Sequence, residues 1–196
     1  MSLPSTISRY LSQVQAELAW LLIMALPKLN LGCRNRALEG YQNMDCEKHD
    51  GVDFVGDVSD LRLFDSDSVE TIRASHILEH FPHVRTLDVL REWHRVLIPG
   101  GMLEVAVPDF KRTVELYQKY GLCNWVQNFI MGDQGYKTAF HYAIFDEQRL
   151  HDLLLKAGFS EASRVIRFQV SDPYECSNNV DTNERRPVSL NMVAIK

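Results

Sequence analysis

The chain is poor in cysteine, and its four (Cys33, Cys46, Cys123 and Cys176) form no C-x-x-C pair. Their scatter argues against a disulfide framework and a thiolate zinc site, and points to a reducing, cytoplasmic compartment. Positive charge is also in short supply. Against 26 Asp and Glu there are 21 Lys and Arg, for a net charge of -5, which argues against a general nucleic-acid surface. Long apolar runs are lacking. The one extended run, LAWLLIMAL at 18–26, falls well short of the roughly 20 residues that span a bilayer. It also lacks the basic flank and cleavage site of a signal peptide. No internal repeat and no low-complexity segment is found.

What remains is 196 residues, 45% hydrophobic and 24% charged, enough for one domain with a sizeable core. Ser5 is placed to cap a helix that runs to Ala25 and is stopped by Pro27. This N-terminal helix (1–27) packs on its own domain, or serves as a homodimer contact or a membrane-surface dock. The domain proper covers 28–196. Strands are expected at 28–33, 41–45, 52–57, 69–75, 101–107, 163–170 and 188–195, and further helices at 76–97, 109–120 and 146–157. Strands alternating with helices describe an α/β fold with a mainly parallel seven-stranded sheet covered on both faces.

Two places break the alternation. The first crossover, between the strands at 28–33 and 41–45, is too short for the roughly 10–12 residues of a helical connection. The second is GLCNWVQNFIMGDQGYKTAFHYAIF at 121–145, aromatic and without a clean period. An insertion after a strand's carboxyl end suits a substrate lid or pocket wall; an apolar flap over the core fits equally well.

The most informative stretch is KLNLGCRNRALEGYQNMD at 28–45. It reads as an apolar strand ending in a turn at Gly32, then a second strand ending in Asp45. In α/β sheets, ligands bind outside the carboxyl ends of the strands. There Gly32 lets a ligand approach the backbone, and Asp45 accepts from ribose hydroxyls. This is the chemistry of a nucleoside-containing cofactor.

LNLGC at 29–33, NMD at 43–45, GDVSDL at 56–61, ASHILEHF at 74–81 and EWHRVLIPGGMLEVAVPDF at 92–110 occur in a telling order and spacing. AGF at 157–159 and SLNMVAIK at 189–196 fit the later strands. Together they resemble the class I S-adenosylmethionine-dependent methyltransferases, of the short bacterial type often found near surface-polysaccharide genes. The resemblance covers 28–196 and implies a Rossmann-like fold with S-adenosylmethionine as cofactor. The cofactor set it implies is Asn30, Gly32, Cys33, Asp45, Asp57, Val58, Ser75 and His76. Gly32 and Cys33 would face the methionyl part and Asp45 the ribose. Asp57 and Val58 would border the adenine, with Ser75 and His76 beside the methionyl group. RVLIPGG at 95–101 resembles the family's turn into the fifth strand. There Pro99 stops the helix and the glycines free the backbone.

Arg34 departs from the pattern, since the family usually has glycine there. Either its side chain points outward and leaves the pocket intact, or it obstructs the cofactor. Retention of Asp45 and Asp57 favours the first. HILEH at 76–80 also spells the inverted zinc-peptidase string H-x-x-E-H. Its place after a strand in an ordered α/β series argues against that use, and no metal ligand is assigned. His80 and His141 are the candidates for a general base on a substrate hydroxyl. Asp109 reads as an N-cap. The polar stretch 172–187, with Arg185 and Arg186, reads as a solvated loop.

The expected activity is methyl transfer to a small-molecule or saccharide acceptor, with oxygen as first choice. No N-P-P-Y-like string, the mark of relatives that methylate amines, follows the fourth strand. The alternative is a non-catalytic protein of the same fold acting as a partner or regulatory subunit, motivated by Arg34 and the apolar first helix. A nicotinamide-dependent oxidoreductase would need G-x-G-x-x-G and a first helix, and GCRNRA supplies neither.

Overall fold

The computed structural model describes residues 26–168 and 188–196. The expected helix at 5–25 and the loop at 172–187 lie outside the described residues. Seven strands form one sheet: β1 (Lys28–Leu31), β2 (Gln42–Asp45), β3 (Phe54–Val55), β4 (Val69–Ser75), β5 (Leu97–Pro108), β6 (Glu161–Val165) and β7 (Ser189–Ile195). Their order is β3-β2-β1-β4-β5-β7-β6. The first five strands pair in parallel, and β7 runs antiparallel to both β5 and β6. The expected mainly parallel seven-stranded sheet is therefore present. Its strand order reverses between β1 and β4, which opens a crevice at their carboxyl ends.

The sheet's two faces differ in chemistry because side chains alternate along each strand. Leu29, Leu31, Met44, Ile72, Leu103, Val105, Leu190 and Met192 lie on one face and are buried. They join a core with Val89, Leu90, Trp93 and Val96 of α1 (Thr86–Val96) and with Leu150 and Leu154 of α4 (Glu147–Ala157). The other face carries Asn30, Asn43, Arg73 and Glu104, also buried. Arg73 and Glu104 are register partners and pair at 3.1 Å, so neither charge is buried unpaired.

Several elements differ from the sequence reading, β3 being shorter than expected and β6 starting earlier, at Glu161. The helix expected over 76–97 begins only at Thr86. Leu78–His80 form a single 3-10 turn instead, and Pro82 follows, a residue with no N–H to give to a helix. The fifth strand starts earlier than expected, at Leu97. Leu97 already pairs with Val69, residues 98–101 bulge out, and Met102 resumes the ladder opposite Thr71. Gly101 is required there, since a Cβ would lie 2.8 Å from the Ile98 carbonyl oxygen and 3.0 Å from that of Glu70. The insertion at 121–145 contains a helix, α3 (Asn124–Met131), which packs on α2 (Phe110–Tyr120) through Leu116 and Val126. As expected, Asp109 caps α2, its side chain accepting from the Arg112 amide.

The cramped β1–β2 connection contains no helix. Two buried amides replace it. Asn30 donates to the Arg36 carbonyl at 3.0 Å and to Asn43 Oδ1 at 2.9 Å. Asn43 Oδ1 also accepts from the Leu38 amide at 2.8 Å. Asn43 Nδ2 donates to the Leu38 and Tyr41 carbonyls. Removing Asn43 would leave several buried groups unpaired, each costing about 1–3 kcal/mol. Asn43→Ala is therefore expected to lower unfolding free energy by at least about 2 kcal/mol, read as a fall in the urea midpoint. An unchanged midpoint would mean water satisfies the connection.

Candidate active site

A cavity of about 350 Å³ opens at the carboxyl ends of β1, β2 and β4. The β1 end contributes Gly32, whose φ of 67° suits glycine and whose Cβ, if present, would lie 2.7 Å from Ile77. Asp45 ends β2, nearly buried. Its Oδ2 accepts from the Arg34 amide at 2.7 Å and its Oδ1 from the Glu47 amide at 3.0 Å. A carboxylate offers about four lone-pair sites, so capacity remains for a ligand's hydroxyls.

Asp57 and Val58 line the cavity just past β3. Their loop is fastened by α1. The Trp93 indole donates to the Val58 carbonyl at 2.9 Å, and Glu92 accepts from the Leu61 amide. Asp57 Oδ1 accepts from the Ser59 amide and hydroxyl. At the end of β4, Ser75 and His76 line the cavity, and Ser75 Oγ is buried without a partner. His76 takes a positive φ of 53°, which costs a non-glycine residue energy. Its ring lies between Glu79 Oε1 (3.2 Å) and Ser189 Oγ (2.8 Å). A carboxylate only accepts, so Nδ1 carries the proton.

Six of the eight expected cofactor residues thus share one cavity: Gly32, Asp45, Asp57, Val58, Ser75 and His76. Asn30 and Cys33 do not line it. Asn30 is spent on the β1–β2 connection. Cys33 is buried, and burial followed by the charge of Asp45 pushes its thiol up to about 11.

Arg34 does not point outward but lines the cavity. Its φ is 46°, the left-handed conformation a glycine would supply, and its guanidinium lies 4.1 Å over the Tyr136 ring. The insertion supplies Tyr136, Lys137, Thr138 and Tyr142 to the cavity. Of the two roles the sequence left open, pocket wall and apolar flap, these residues take the first. Arg36 and His49, also lining residues, gave no sequence signal.

His80 lines the cavity, and His141 packs edge-on against it at 4.8 Å between ring centres. Each Nδ1 meets a backbone carbonyl, His80 that of Phe140 at 2.9 Å and His141 that of Phe129 at 3.2 Å. Burial holds the His141 pKa below its ordinary value, although Glu79 opposes this. Glu79 is itself buried. Burial alone would raise its pKa, but the hydrogen bond from His76 and the neighbouring imidazoles hold it below the ordinary value.

Residues 29–105 match the family model described as a methyltransferase domain. That match covers 77 of the 196 residues, and the strand order is that of the methyltransferase fold seen in the solved structures below. Among curated proteins it is similar to demethylmenaquinone methyltransferase of Staphylococcus epidermidis, 30% identical over 116 residues, or 54% of this chain and 46% of that one. The chain thus spans about half the length of the curated relatives it matches. Among solved structures, an S-adenosylmethionine-dependent methyltransferase from Archaeoglobus fulgidus superposes with a TM-score of 0.59 at 13% identity, covering 96% of this chain and 94% of that one. The 1,6-didemethyltoxoflavin-N1-methyltransferase of Burkholderia thailandensis, solved with bound S-adenosylhomocysteine, gives 0.52 at 16% identity, covering 100% and 91%. S-adenosylmethionine is the cofactor of the solved methyltransferases that share this fold, and the residues present would fit it. The open carboxylate of Asp45 and the unpartnered hydroxyl of Ser75 are the groups a nucleoside and an amino-acid moiety would engage.

Two outcomes are expected. Arg34→Gly should change S-adenosylhomocysteine affinity by less than about threefold, because glycine keeps the left-handed turn; a loss above tenfold by calorimetry would make the guanidinium a ligand. Cys33, with about one part in a thousand as thiolate at pH 8, should be alkylated by iodoacetamide at a rate still rising above pH 10. Peptide mass mapping showing a plateau below pH 9 would contradict this.

Proposed function

We propose that this protein transfers a methyl group from S-adenosylmethionine to a hydroxyl of a small-molecule acceptor, a saccharide being the first choice. The observation that carries the reading is the convergence of Gly32, Asp45, Asp57, Val58, Ser75 and His76 on one cavity at the switch point of the sheet. The cofactor, when bound, supplies a methyl on a sulfonium, open to in-line displacement. Asp45 holds the ribose, Asp57 accepts from the adenine amine with Val58 against the ring, and Ser75 and His76 border the amino-acid end. Arg34, Lys137, Tyr136 and Tyr142 give the acceptor side a polar and aromatic lining, suited to a hydroxyl-bearing ring. His80, on the cavity wall with His141 packed behind it, is the candidate to take the acceptor's proton. Positioning accounts for most of the rate effect in such a displacement.

No described helix is long and apolar enough to cross a membrane, and we place the reaction in the cytoplasm. Calorimetric titration with S-adenosylmethionine and S-adenosylhomocysteine is expected to saturate near one site per chain. Asp45→Ala should weaken binding by about 1–3 kcal/mol, roughly 5- to 150-fold in Kd. Unchanged affinity in a folded Asp45→Ala protein would refute the ribose assignment. No binding by the wild type at millimolar ligand would refute the function.

A further inference from the structure

Beside the cofactor cavity, one ligand atom each from Glu79, His80 and His141 lies within 4.8 Å of the other two. We infer that these three side chains form a binding site for a divalent transition-metal ion of the zinc type, with a coordination position reached from the cavity. Two imidazoles and one carboxylate make a donor set of the kind that holds catalytic zinc and leaves a place for an exogenous oxygen.

Four observations beyond proximity support the site. Both imidazoles direct Nδ1 at a backbone carbonyl, Phe140 for His80 and Phe129 for His141. A carbonyl only accepts, so Nδ1–H is fixed on each ring and Nε2 keeps its lone pair. Metal-ligating histidines are ordinarily held in this way by their second nitrogen. Glu79 is 1% exposed, and its Oε2 is buried with no hydrogen-bond partner while Oε1 is held by His76. An unsatisfied buried carboxylate oxygen is costly, and a cation beside it removes that cost. The ligands also sit on a braced frame, since the Tyr142 and Ala143 amides both donate to the Glu79 carbonyl and tie the insertion to the 3-10 turn. Finally, the two rings pack edge-on at 4.8 Å between centres, which holds the imidazoles side by side.

Zinc–nitrogen distances of about 2.0–2.1 Å place neighbouring ligand atoms about 3–3.5 Å apart, so binding closes the set by about an ångström. His80 alone of the three lines the cavity, so an exogenous oxygen donor would reach the ion from that side. A hydroxyl bound there loses its proton more readily, and His80 and His141 would then act as ligands and not as bases. The metal site goes beyond the proposed methyl transfer, and zinc binding is measured without turnover.

The experiment is calorimetric titration of the full chain, stripped with a chelator, with zinc chloride. One ion per chain is expected. His80→Ala and His141→Ala should each weaken binding by more than about 100-fold, and Glu79→Gln should weaken it as well. His83→Ala, on an exposed loop, should bind as the wild type does. Circular dichroism of each metal-free variant checks folding, and His80→Gln and His141→Gln replace any alanine variant that does not fold. No saturable binding by the wild type at 100-fold excess zinc would overturn the site. So would full zinc affinity in folded His80 and His141 variants, or loss of binding on Cys46→Ser alone. Failure here with intact S-adenosylmethionine binding would leave the methyltransferase reading standing.

Discussion

The buried hydrogen bond between Asn30 and Asn43 holds together the part of the molecule on which the cofactor cavity depends. The two residues are register partners on β1 and β2, and between them they satisfy backbone groups of Arg36, Leu38 and Tyr41. A helical crossover would have met those requirements within its own backbone. The connection is too short for one, so side-chain amides do the work. With the connection shaped this way, the Arg34 amide reaches Asp45 and the carboxylate is presented to the cavity. The same constraint explains why Arg34 takes a glycine-like φ: the amide contact with Asp45 sets the backbone, and stacking on Tyr136 occupies the side chain.

At the other rim the organising group is the buried carboxylate of Glu79. One oxygen orients His76, which also reaches Ser189 on β7. The other oxygen is buried without a partner, and one oxygen of the acid lies within 4.8 Å of ring nitrogens of His80 and His141. The backbone carbonyl of the same residue anchors the insertion. Residues far apart in sequence, from the β4 end, the 3-10 turn, the insertion and β7, are therefore tied through one acid. Its burial makes each of these contacts stronger than it would be in water.

Much of the fold was legible because strand periodicity and turn chemistry are local. The alternation of strands and helices, the turn at Gly32, the acids ending β2 and following β3, and the cap at Asp109 all follow from short-range rules. The misreadings came from competition those rules do not see. Ile77, Leu78 and Phe81 look like the apolar stripe of a helix, but Pro82 ends the pattern and the helix starts at Thr86. Asn30 lies two residues before Gly32 and looks like part of the loop. Its amide is instead spent on Arg36 and Asn43 within the short β1–β2 connection. Cys33 follows Gly32 directly, yet its side chain enters the protein interior.

From the sequence alone came the α/β class, the family resemblance, and an acid at the end of β2, Asp45, because each rests on neighbouring residues in order. Only the tertiary structure decided that Arg34 is compatible with the loop, that Tyr136 and Tyr142 complete the cavity, and that Glu79, His80 and His141 meet. Those outcomes depend on contacts across 60 or more residues of chain, such as that of His80 with Phe140. Spacing in a sequence does not encode which of two distant side chains will share a buried volume.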